Sequence, residues 1–430
     1  MNKDKKEIIK KIIIDFEPEK ISLVRRDLSI PFNSSLIISL IGPRKAGKTY
    51  FLYQIIQDLL KKGLKKEQIV YINFEDERLL PLTKDDADLV LEAYFELYPS
   101  FDKKIFFFFD EIQNLPFWPN FLRRISQKHS IFITGSSSKL LSSEIATALR
   151  GKTLSFYLHP FSFKEFLRYK KITLEKNFSY HKQRFILKKL FLEYINFGGL
   201  PVIFDLEENF KIKYLQEYLN LVTYKDIIER YQIKNSSFFK ELEKNLILET
   251  SNFFSLSSYF KTLKNLGFSI GKDTLFQYFS YLEEINLINT SSFFSKSKKS
   301  QLVNPKKIYV FDTGLYKALS FEEEKGKLLE TAVFNYLKQK NFETYYYKKE
   351  NEVDIIAKKE KMIIPIQVCY SLKNQKTKER EIKGLINFAK NFKVNKGLII
   401  TFDEESEIEE KSFLIKVIPA WKTMVKEEID

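Results

Sequence analysis

The fold is decided by the stretch Gly42-Pro43-Arg44-Lys45-Ala46-Gly47-Lys48-Thr49, which fits the phosphate-binding pattern G-x-x-x-x-G-K-S/T. An apolar run, 36–41, precedes it and predicts a buried strand, and residues 50–61 follow with apolar side chains at helical spacing. A strand, a glycine loop and a helix in this order direct backbone N–H groups and a helix N-terminus at phosphate. We therefore expect these eight residues and Tyr50 to bind a nucleotide, with Lys48 at the β- and γ-phosphates and the Thr49 hydroxyl as a ligand for Mg²⁺.

Two further apolar runs predict strands that end in acidic residues. Residues 68–74 are followed by three acidic residues, and residues 104–109 run directly into Asp110-Glu111. A strand that ends in Asp-Glu, behind a phosphate-binding loop, is the Walker B pattern of nucleotide hydrolases. We expect Asp110 to hold Mg²⁺ through water and Glu111 to act as the general base that polarises the attacking water.

Two candidates for contact with the γ-phosphate follow a fourth predicted strand, 130–134. We assign this role to Ser136, although any of the three serines at 136–138 fits it, and the alternative is that they only cap the next helix. Arg150 is the candidate for an arginine that reaches the γ-phosphate in cis or in trans. The alternative for Arg150 is a surface arginine before a glycine turn.

The position of a possible guanine-recognition pattern decides between ATP and GTP. Guanine recognition usually needs N/T-K-x-D after the catalytic strand, whereas Thr83-Lys84-Asp85-Asp86 comes before that strand and looks like the solvated start of a helix. We therefore expect the nucleotide to be ATP rather than GTP.

The composition indicates a protein of several domains in a reducing compartment. The 430 residues exceed what one hydrophobic core usually organises, and 44% of them are hydrophobic, too many for general disorder. The single cysteine, Cys369, excludes an internal disulfide, and we expect neither a signal peptide nor a membrane-spanning segment. The net charge of +15 favours an acidic partner such as nucleic acid, unless lysine is only a generic solvated residue. We expect a cytoplasmic protein with no membrane partner.

The middle of the chain predicts helices and then a helix-turn-helix. Apolar residues recur at helical spacing from 160 to about 248, with a turn at Gly198-Gly199-Leu200-Pro201. Two helices that begin at Leu256 and Lys272 flank a glycine turn. The second has the position of a recognition helix, which would direct Lys272 and Thr274 at the bases of DNA.

A candidate basic wing follows these helices. Residues 287–290 and 307–311 predict a hairpin, and the segment between them contains Lys296, Lys298 and Lys299. A local surplus of positive charge between 291 and 320 favours contact with DNA phosphates, since only Asp312 opposes Lys296, Lys298, Lys299, Lys306, Lys307 and Lys317. The alternative is that winged helices also serve as modules for docking or packing of proteins.

The last part of the chain resembles the core of PD-(D/E)XK nucleases. Glu330 lies on a predicted helix, Asp354 at the head of a predicted strand and Gln367 on the next strand. The resemblance implies that these three side chains hold a metal ion such as Mg²⁺, and that a lysine activates water. Cys369 stands where that lysine belongs, so we expect a fold retained for DNA docking or packing, without cleavage. The charge would otherwise have to come from Lys349 or Lys373.

Along nearly the whole chain, the motifs resemble those of archaeal and bacterial AAA-type ATPases that carry a C-terminal extension. The matching segments are 42–49, 71–76, 109–113, 133–141, 149–151, 160–166, 198–201 and 224–231. The resemblance implies an α/β fold: a P-loop ATPase parallel sheet with a helical lid, then a winged helix, then a small α/β nuclease-like domain. We predict an ATPase core at 1–160, a lid at 161–248, a winged helix-turn-helix at 249–318 and a degenerate nuclease-like domain at 319–430.

The function expected from these patterns is Mg²⁺-dependent ATP binding and hydrolysis coupled to domain movement on DNA. Two alternatives stay open. One is a nucleotide-dependent switch that docks a protein partner without DNA, and the other is an ATP-gated, metal-dependent nuclease. The sequence is also compatible with a homo-oligomer.

Overall fold

The structure is a computed structural model that describes residues 2–100, 102–135, 145, 147–179, 182–410, 413–427 and 429, and only the backbone of residues 2 and 3. The contacts between Cα atoms divide the chain into two compact units, 1–160 and 161–430. Among the described residues, no helix combines the length and the apolar character needed to cross a membrane.

The first unit alternates helices and strands. The helices are α1 (Asn2–Asp15), α2 (Lys48–Lys61), α3 (Asp86–Leu97) and α4 (Trp118–Ile125), and the strands are β1 (Ile37–Ile41), β2 (Ile69–Asn73), β3 (Phe106–Asp110), β4 (Ser130–Thr134) and β5 (Thr153–Tyr157). The four strands predicted from apolar runs are confirmed with small shifts at their ends. The strand β5 is additional, because its alternation of polar and apolar residues gives no apolar run.

The order of the strands brings three strand ends together. The strands β1 to β5 are all parallel and lie in the order β2-β3-β4-β1-β5, so β4 separates β1 from β3. Because parallel strands present their carboxyl ends at one edge, the loop after β1, Asp110 at the end of β3 and Thr134 at the end of β4 share that edge. Ligands bind at this edge in open α/β sheets. The expected fold class, an α/β P-loop sheet, is confirmed.

Both faces of this sheet are covered, which is usual for parallel strands. Alternate residues of β1 point to opposite faces: Ile38 and Leu40 belong to one buried cluster together with Phe51 of α2, whereas Ile37 and Ile41 belong to another. The two-sided burial explains why β1 reads as a continuous apolar run rather than as an alternating one.

The second unit begins with helices, as the spacing of apolar residues predicts. They are α5 (Phe163–Tyr169), α6 (Gln183–Phe197), α7 (Glu208–Val222) and α8 (Ser236–Leu248), and α7 continues through a π-helical segment, Thr223–Ile228, and a last turn, Glu229–Tyr231. A capping box fixes the start of α5, where Ser162 Oγ accepts the Glu165 N–H at 3.2 Å and Glu165 Oε2 accepts the Ser162 N–H at 2.8 Å.

Two helices and a hairpin follow in the places that the sequence predicts. The helices α9 (Leu256–Asn265) and α10 (Lys272–Glu284) flank a turn in which Gly267 has a φ of 83°. The strands β7 (Ile288–Phe293) and β8 (Lys306–Val310) then pair antiparallel. Their connection, the candidate basic wing, contains a short helix, α11 (Lys298–Val303), which the sequence does not predict. The assignment as a winged helix stays a prediction.

The rest of this unit consists of further strands and helices. They are the short strand β6 (Phe253–Phe254), helices α12 (Thr313–Leu319), α13 (Lys325–Gln339), α14 (Gln375–Phe392) and α15 (Ala420–Lys426), and strands β9 (Glu343–Lys348), β10 (Glu352–Lys359), β11 (Met362–Val368), β12 (Lys396–Thr401), β13 (Ser406–Glu410) and β14 (Phe413–Pro419).

In the part of the chain that the structure describes, nine strands of the second unit form one sheet in the order β13-β14-β12-β11-β10-β9-β7-β8-β6. The hairpin joins the C-terminal strands through parallel pairing of β7 with β9, in which Ser292 and Phe293 oppose Tyr345 and Tyr346. This sheet crosses residue 318, where the sequence predicts a domain boundary. The division of the second unit into three domains stays a prediction.

A buried carboxylate connects α12 to the glycine turn that follows α6. Asp312 is 3% exposed and accepts the N–H groups of Gly199 at 2.8 Å and Gly314 at 2.9 Å. Gly198 has a φ of 79°, and a Cβ at this position would overlap the Asp312 carboxylate, so only glycine fits. Burial raises the pKa of Asp312 to about 6, and the two N–H groups oppose this shift.

We expect the substitution Asp312→Asn to change how stability depends on pH. Because the pKa of Asp312 is higher in the folded state than in the unfolded chain, this carboxyl contributes stability that is complete below about pH 4 and is lost as the pH rises past 6. The difference in unfolding free energy between the wild type and Asp312→Asn, from urea denaturation at pH 4 to 8, should shift by about 3 kcal/mol in favour of the variant. An exposed control, Asp102→Asn, should give a flat difference. A flat profile for Asp312→Asn would contradict the raised pKa.

Candidate functional site

The loop between β1 and α2 has the backbone conformation that close contact with phosphate requires. Gly42 and Gly47 have φ values of 150° and 94°, and Lys45 between them has 60°. A Cβ on Gly42 would overlap the carbonyl oxygen of Leu158, which follows β5. Two glycines of the motif are therefore required by the backbone itself.

Lys48 is buried at the start of α2, with 6% of its surface exposed. Its ammonium group donates to the carbonyl oxygens of Gly42 at 3.0 Å and Pro43 at 3.1 Å, both within the loop. The positive charge therefore lies inside the loop. Of the other residues expected to contact nucleotide, Arg44 is half-buried, Ala46 is buried, and Lys45 and Tyr50 are exposed.

Asp110 is the centre of a polar network at the same edge of the sheet. Its Oδ2 accepts hydrogen bonds from Thr49 Oγ1 at 2.7 Å and from the Tyr71 hydroxyl at 3.0 Å, and its Oδ1 accepts the hydroxyl of Thr134. Asp110 is 1% exposed. Burial raises the pKa of its carboxyl, and the hydrogen bonds from Thr134, Thr49 and Tyr71 oppose that shift. Thr49 and Asp110, which the sequence indicates through two separate motifs, are therefore in direct contact.

Glu111 follows Asp110 in a left-handed conformation, with a φ of 49°. Its N–H donates to Thr134 Oγ1 at 3.0 Å, so one hydroxyl contacts both acidic residues. Its carboxylate accepts the side-chain amide of Gln113. A positive φ is uncommon for a residue with a side chain and is found preferentially at functional sites. The arrangement leaves a half-buried carboxylate beside a buried one.

Arg26 is a candidate that no motif indicates. It lies between α1 and β1, is 8% exposed, and its guanidinium donates to the carbonyl oxygens of Ala46 at 2.8 Å and His159 at 2.6 Å. Gln54 of α2 fixes the Arg26 backbone, since its amide exchanges hydrogen bonds of 2.7 and 3.1 Å with the Arg26 N–H and carbonyl. Arg26 therefore connects the phosphate-binding loop to the segment that leaves β5.

Tyr71 and Thr134 lie in segments that match the family, but the sequence assigns no role to either side chain. Both lie within apolar strands, where a hydroxyl residue carries no signal of its own. The order of the strands places them beside Asp110. Only knowledge that β2 and β4 both neighbour β3 would single them out.

Of the two candidates for contact with the γ-phosphate, the structure describes only Arg150. Ser136 lies outside the described residues. Arg150 is exposed in the turn before β5, and the carbonyl of nearby Lys152 accepts the N–H of Ile37 at the start of β1. Arg150 therefore lies at the edge opposite the phosphate-binding loop, roughly 16 Å away along a strand of this length. An arginine side chain is too short to span this separation, so the expectation that Arg150 acts in cis is corrected. The expectation that it acts in trans stays a prediction.

The residues expected to contact DNA lie at the surface of the second unit. Lys272 is exposed at the start of α10, with its ammonium 5.6 Å from the centre of the Phe276 ring, and Thr274 is half-buried in the same turn. Lys296, Lys298 and Lys299 are exposed in the connection between β7 and β8.

The local charge of this region is smaller than the sequence indicates. Lys306 pairs with Glu283 at 3.1 Å, Lys317 lies 3.6 Å from Glu323, and Lys307 is only 2% exposed. Burial therefore withholds Lys307 from phosphates, and acidic partners offset the charges of Lys306 and Lys317. As far as the described residues extend, the lysines of this region that form no ion pair are Lys296, Lys298 and Lys299.

The acidic residues of the C-terminal part surround a lysine from another strand. Lys307 of β8 places its Nζ 2.8 Å from Glu330 Oε1, 3.1 Å from Asp354 Oδ1 and 3.2 Å from Glu352 Oε1. We name this group of four residues the Lys307 cluster. The sequence indicates Glu330 and Asp354 but neither Lys307 nor Glu352, because no spacing pattern connects β8 to α13 and β10.

The other residues of the nuclease-like motif lie around this cluster. The Gln367 side chain accepts the Asp354 N–H and donates to the Glu352 carbonyl, both at 2.9 Å. Burial raises the pKa of Cys369 to about 12, so its thiol is neutral at physiological pH. Lys349 and Lys373, the alternative sources of a positive charge, are exposed and form no ion pair within the described part of the chain. The positive charge next to Glu330 and Asp354 belongs instead to Lys307, which the nuclease-like motif does not contain.

Burial and mutual attraction set the charge states in the Lys307 cluster. Burial lowers the pKa of the Lys307 ammonium, but the attraction of Asp354 and Glu330 outweighs it, so that this pKa is well above its usual value. Burial raises the pKa of Glu330, and Lys307 opposes that shift. Lys307 is therefore a permanent positive charge among acidic side chains.

We expect Arg26→Gln to weaken nucleotide binding by about tenfold or more, because the loop loses two charge-assisted hydrogen bonds that hold Ala46 and His159. Titration with a fluorescent ATP analogue measures the affinity, and circular dichroism checks the fold. The control is Arg25→Gln, which removes the same charge from the neighbouring position, where a half-exposed guanidinium pairs with Asp58 at 2.8 Å. Equal affinities of the two variants would show that Arg26 does not position the loop.

Three family models match the chain. One, described as an AAA domain, matches residues 34–167. The other two are described as domains of unknown function, DUF8612 over residues 188–325 and DUF4143 over residues 325–423. Two solved structures are also similar, AMPPCP-bound DnaA from Aquifex aeolicus (TM-score 0.26, 13% identity, covering 64% of this chain and 86% of that one) and Drosophila ORC bound to AT-rich DNA and Cdc6 (TM-score 0.19, 10% identity, 72% and 90%). With scores this low, the fold assignment rests on the strand order and the loop geometry.

Whole-length relatives are found among curated proteins. An uncharacterized protein of Haemophilus influenzae is 28% identical over 388 residues, which cover 88% of this chain and 93% of that protein. An uncharacterized protein of Methanocaldococcus jannaschii is 37% identical over 434 residues, which cover 97% of this chain and 95% of that protein. The chain belongs to the same family as this Methanocaldococcus jannaschii protein, and its residues 34–167 form an AAA domain of P-loop type.

Proposed function

We propose that this protein binds ATP with Mg²⁺ at the loop 42–49, hydrolyses it, and uses the nucleotide cycle to move its second unit on DNA. The observation that carries the proposal is the 2.7 Å hydrogen bond from Thr49 to Asp110, which joins the phosphate-binding loop to the acidic end of β3. In P-loop hydrolases these two groups serve one metal ion. The AAA domain match supports the same activity.

The side chains at this edge suit Mg²⁺. The Thr49 hydroxyl and the Asp110 carboxylate provide hard oxygen ligands, and Mg²⁺ usually keeps several waters when few protein ligands are present. Asp110 also shares its oxygens with Tyr71 and Thr134, which fix its orientation. When bound, Mg²⁺ would neutralise charge on the β- and γ-phosphates.

The other residues of the site act on the phosphates and on water. The N–H groups of the loop and the N-terminus of α2 bind the phosphates, and Lys48 exchanges the carbonyl oxygens of Gly42 and Pro43 for phosphate oxygens. Glu111 orients the attacking water and accepts its proton at a carboxylate oxygen, for which Gln113 must release that group. Ser136 would contact the γ-phosphate, and Arg150 would act on a neighbouring chain of a homo-oligomer.

We expect Glu111→Gln to lower ATP turnover by about 100-fold or more while ATP still binds, because the variant lacks the proton acceptor but keeps the phosphate contacts. Lys48→Ala should lose both binding and turnover. Steady-state phosphate release and ATP-analogue titration measure the two effects. The exposed control Glu92→Gln on α3 should match the wild type. Wild-type turnover in Glu111→Gln would assign the base to another residue.

Contact with DNA is supported by the three exposed lysines of the wing and by Lys272 at the start of α10. Lys296, Lys298 and Lys299 lie within four positions of one another and form no ion pair in the described part of the chain. Lysines of this kind bind the phosphate backbone without reading sequence. Lys272 and Thr274 hold the positions from which a recognition helix contacts base edges.

A second candidate function is a nucleotide-dependent switch that docks a protein. It is favoured by Leu302 and Val303 of α11, which are 85% and 72% exposed on the same connection as the lysines. Adjacent exposed aliphatic side chains are more typical of a protein contact than of a phosphate contact. Stimulation of ATP turnover by duplex DNA would favour the first function, and its absence the second.

We expect replacement of Lys296, Lys298 and Lys299 by Gln to weaken binding to duplex DNA and to reduce the slope of log K against log salt by up to about 3, since each lysine releases about one counterion. Fluorescence anisotropy over a salt series measures the slope. The matched control replaces Lys376, Lys383 and Lys390, which are exposed on α14, and removes the same charge from another surface. An unchanged slope in the wing variant, or equal slopes in both variants, would exclude the wing as the DNA contact.

A further inference from the structure

We infer that the Lys307 ammonium takes the place of the divalent cation in the nuclease-like site, so that this site fastens the hairpin to the C-terminal strands and needs no metal. The metal ion that the resemblance to PD-(D/E)XK nucleases implies therefore does not fit this chain. The inference is independent of ATP hydrolysis.

The first argument is the position of the ammonium group. Nζ of Lys307 lies 2.8, 3.1 and 3.2 Å from oxygens of Glu330, Asp354 and Glu352, which come from α13 and β10. A cation held by carboxylates from a helix and a strand is the arrangement expected of a hard metal ion in this type of core. Lys307 is 2% exposed, so its ammonium group lies in the interior and not at the surface.

The second argument is that the remaining oxygens of the site already have donors. Glu330 Oε1 also accepts the Tyr309 hydroxyl at 2.7 Å, and Glu330 Oε2 accepts Ser251 Oγ at 2.5 Å. Asp354 Oδ2 accepts the Val368 N–H at 2.9 Å. The side chain of Gln367 is used as well, between the Asp354 N–H and the Glu352 carbonyl. A metal ion would have to displace these hydrogen bonds.

The third argument is the charge balance. Glu330, Asp354 and Glu352 carry up to three negative charges, and two ammonium groups oppose them, because Lys348 also contacts Glu352 at 3.3 Å. A divalent cation placed among the same oxygens would repel Lys307 at close range, where water does not screen the repulsion. Lys307, in the position that it occupies, therefore competes with a metal ion for the same oxygens.

The consequence is a structural role for the C-terminal acidic site. Lys307 belongs to β8, opposite Ser291 of β7, whereas its partners belong to α13 and β10. The ion pairs therefore reinforce the connection that pairing of β7 with β9 makes in the sheet. With a lysine in the cation position and the neutral thiol of Cys369 in the motif, the site lacks the groups that would activate water for cleavage of a phosphodiester bond.

The test compares metal binding of the nucleotide-free, full-length protein with that of Lys307→Ala. Removal of the ammonium takes the nearest positive charge from Glu330 and Asp354 and leaves Glu352 with Lys348, so the variant should melt below the wild type in EDTA and should gain one Mn²⁺ site per chain. Its Tm should rise by about 3 °C or more with saturating Mn²⁺. The wild type should show neither effect. The control Lys306→Ala removes the neighbouring lysine, whose partner Glu283 is partly exposed, and should show no metal dependence.

Mn²⁺ binding is followed by electron paramagnetic resonance. Any Mn²⁺ that binds at the phosphate-binding loop does so in the wild type as well, so it does not contribute to the difference between the two proteins. A folded Lys307→Ala that gains no Mn²⁺ site would overturn the inference. If Lys307→Ala does not fold, the wild type is compared with Asp354→Asn instead. Equal Mn²⁺ binding by these two proteins, and no nicking of plasmid DNA by either, would support the inference. An Mn²⁺ site or metal-dependent nicking that Asp354→Asn abolishes would show that a metal, not Lys307, fills the site.

Discussion

Insertion of β4 between β1 and β3 is the constraint on which the nucleotide site depends. That order gathers the ends of three parallel strands at one edge of the sheet. The hydroxyls of Thr49, Tyr71 and Thr134, which come from α2, β2 and β4, all contact the buried carboxylate of Asp110. A carboxylate without such donors would be strongly disfavoured in the interior. The donors therefore fix the acidic group where the phosphate-binding loop begins its helix.

The second unit depends on a different balance, between buried charges of opposite sign. Leaving one member of a buried ion pair without its partner typically costs about 3–5 kcal/mol. Lys307 has three carboxylate partners on two other elements, so the hairpin and the C-terminal strands are held together by charge as well as by strand pairing. The Lys307 cluster is therefore a reason why the sheet runs without interruption from β8 to β13.

The sequence predicted the nucleotide site more fully than the acidic one. A phosphate-binding loop is contiguous, so its glycines, Lys48 and Thr49 are visible as one motif, and Asp110 ends an apolar strand. The lysine in the acidic site is visible in no local pattern, because β8 lies outside the nuclease-like motif. Arg26 was missed for a similar reason, since its contacts with Ala46 and His159 join segments that are distant along the chain. Because β5 runs parallel to β1, Arg150 lies at the edge of the sheet away from the phosphate-binding loop, which excludes a cis-acting role.

The sequence by itself determined that this chain has a P-loop sheet, because phosphate binding demands particular residue types at fixed neighbouring positions. It also predicted the helices between 160 and about 248, the two helices that begin at Leu256 and Lys272, and the hairpin that follows them. Only the tertiary structure decided which lysines between 291 and 320 remain exposed, that Lys307 is buried, and which hydroxyls surround Asp110. These outcomes depend on the order in which strands pair, and burial of a charge is settled by partners that come from elsewhere in the chain.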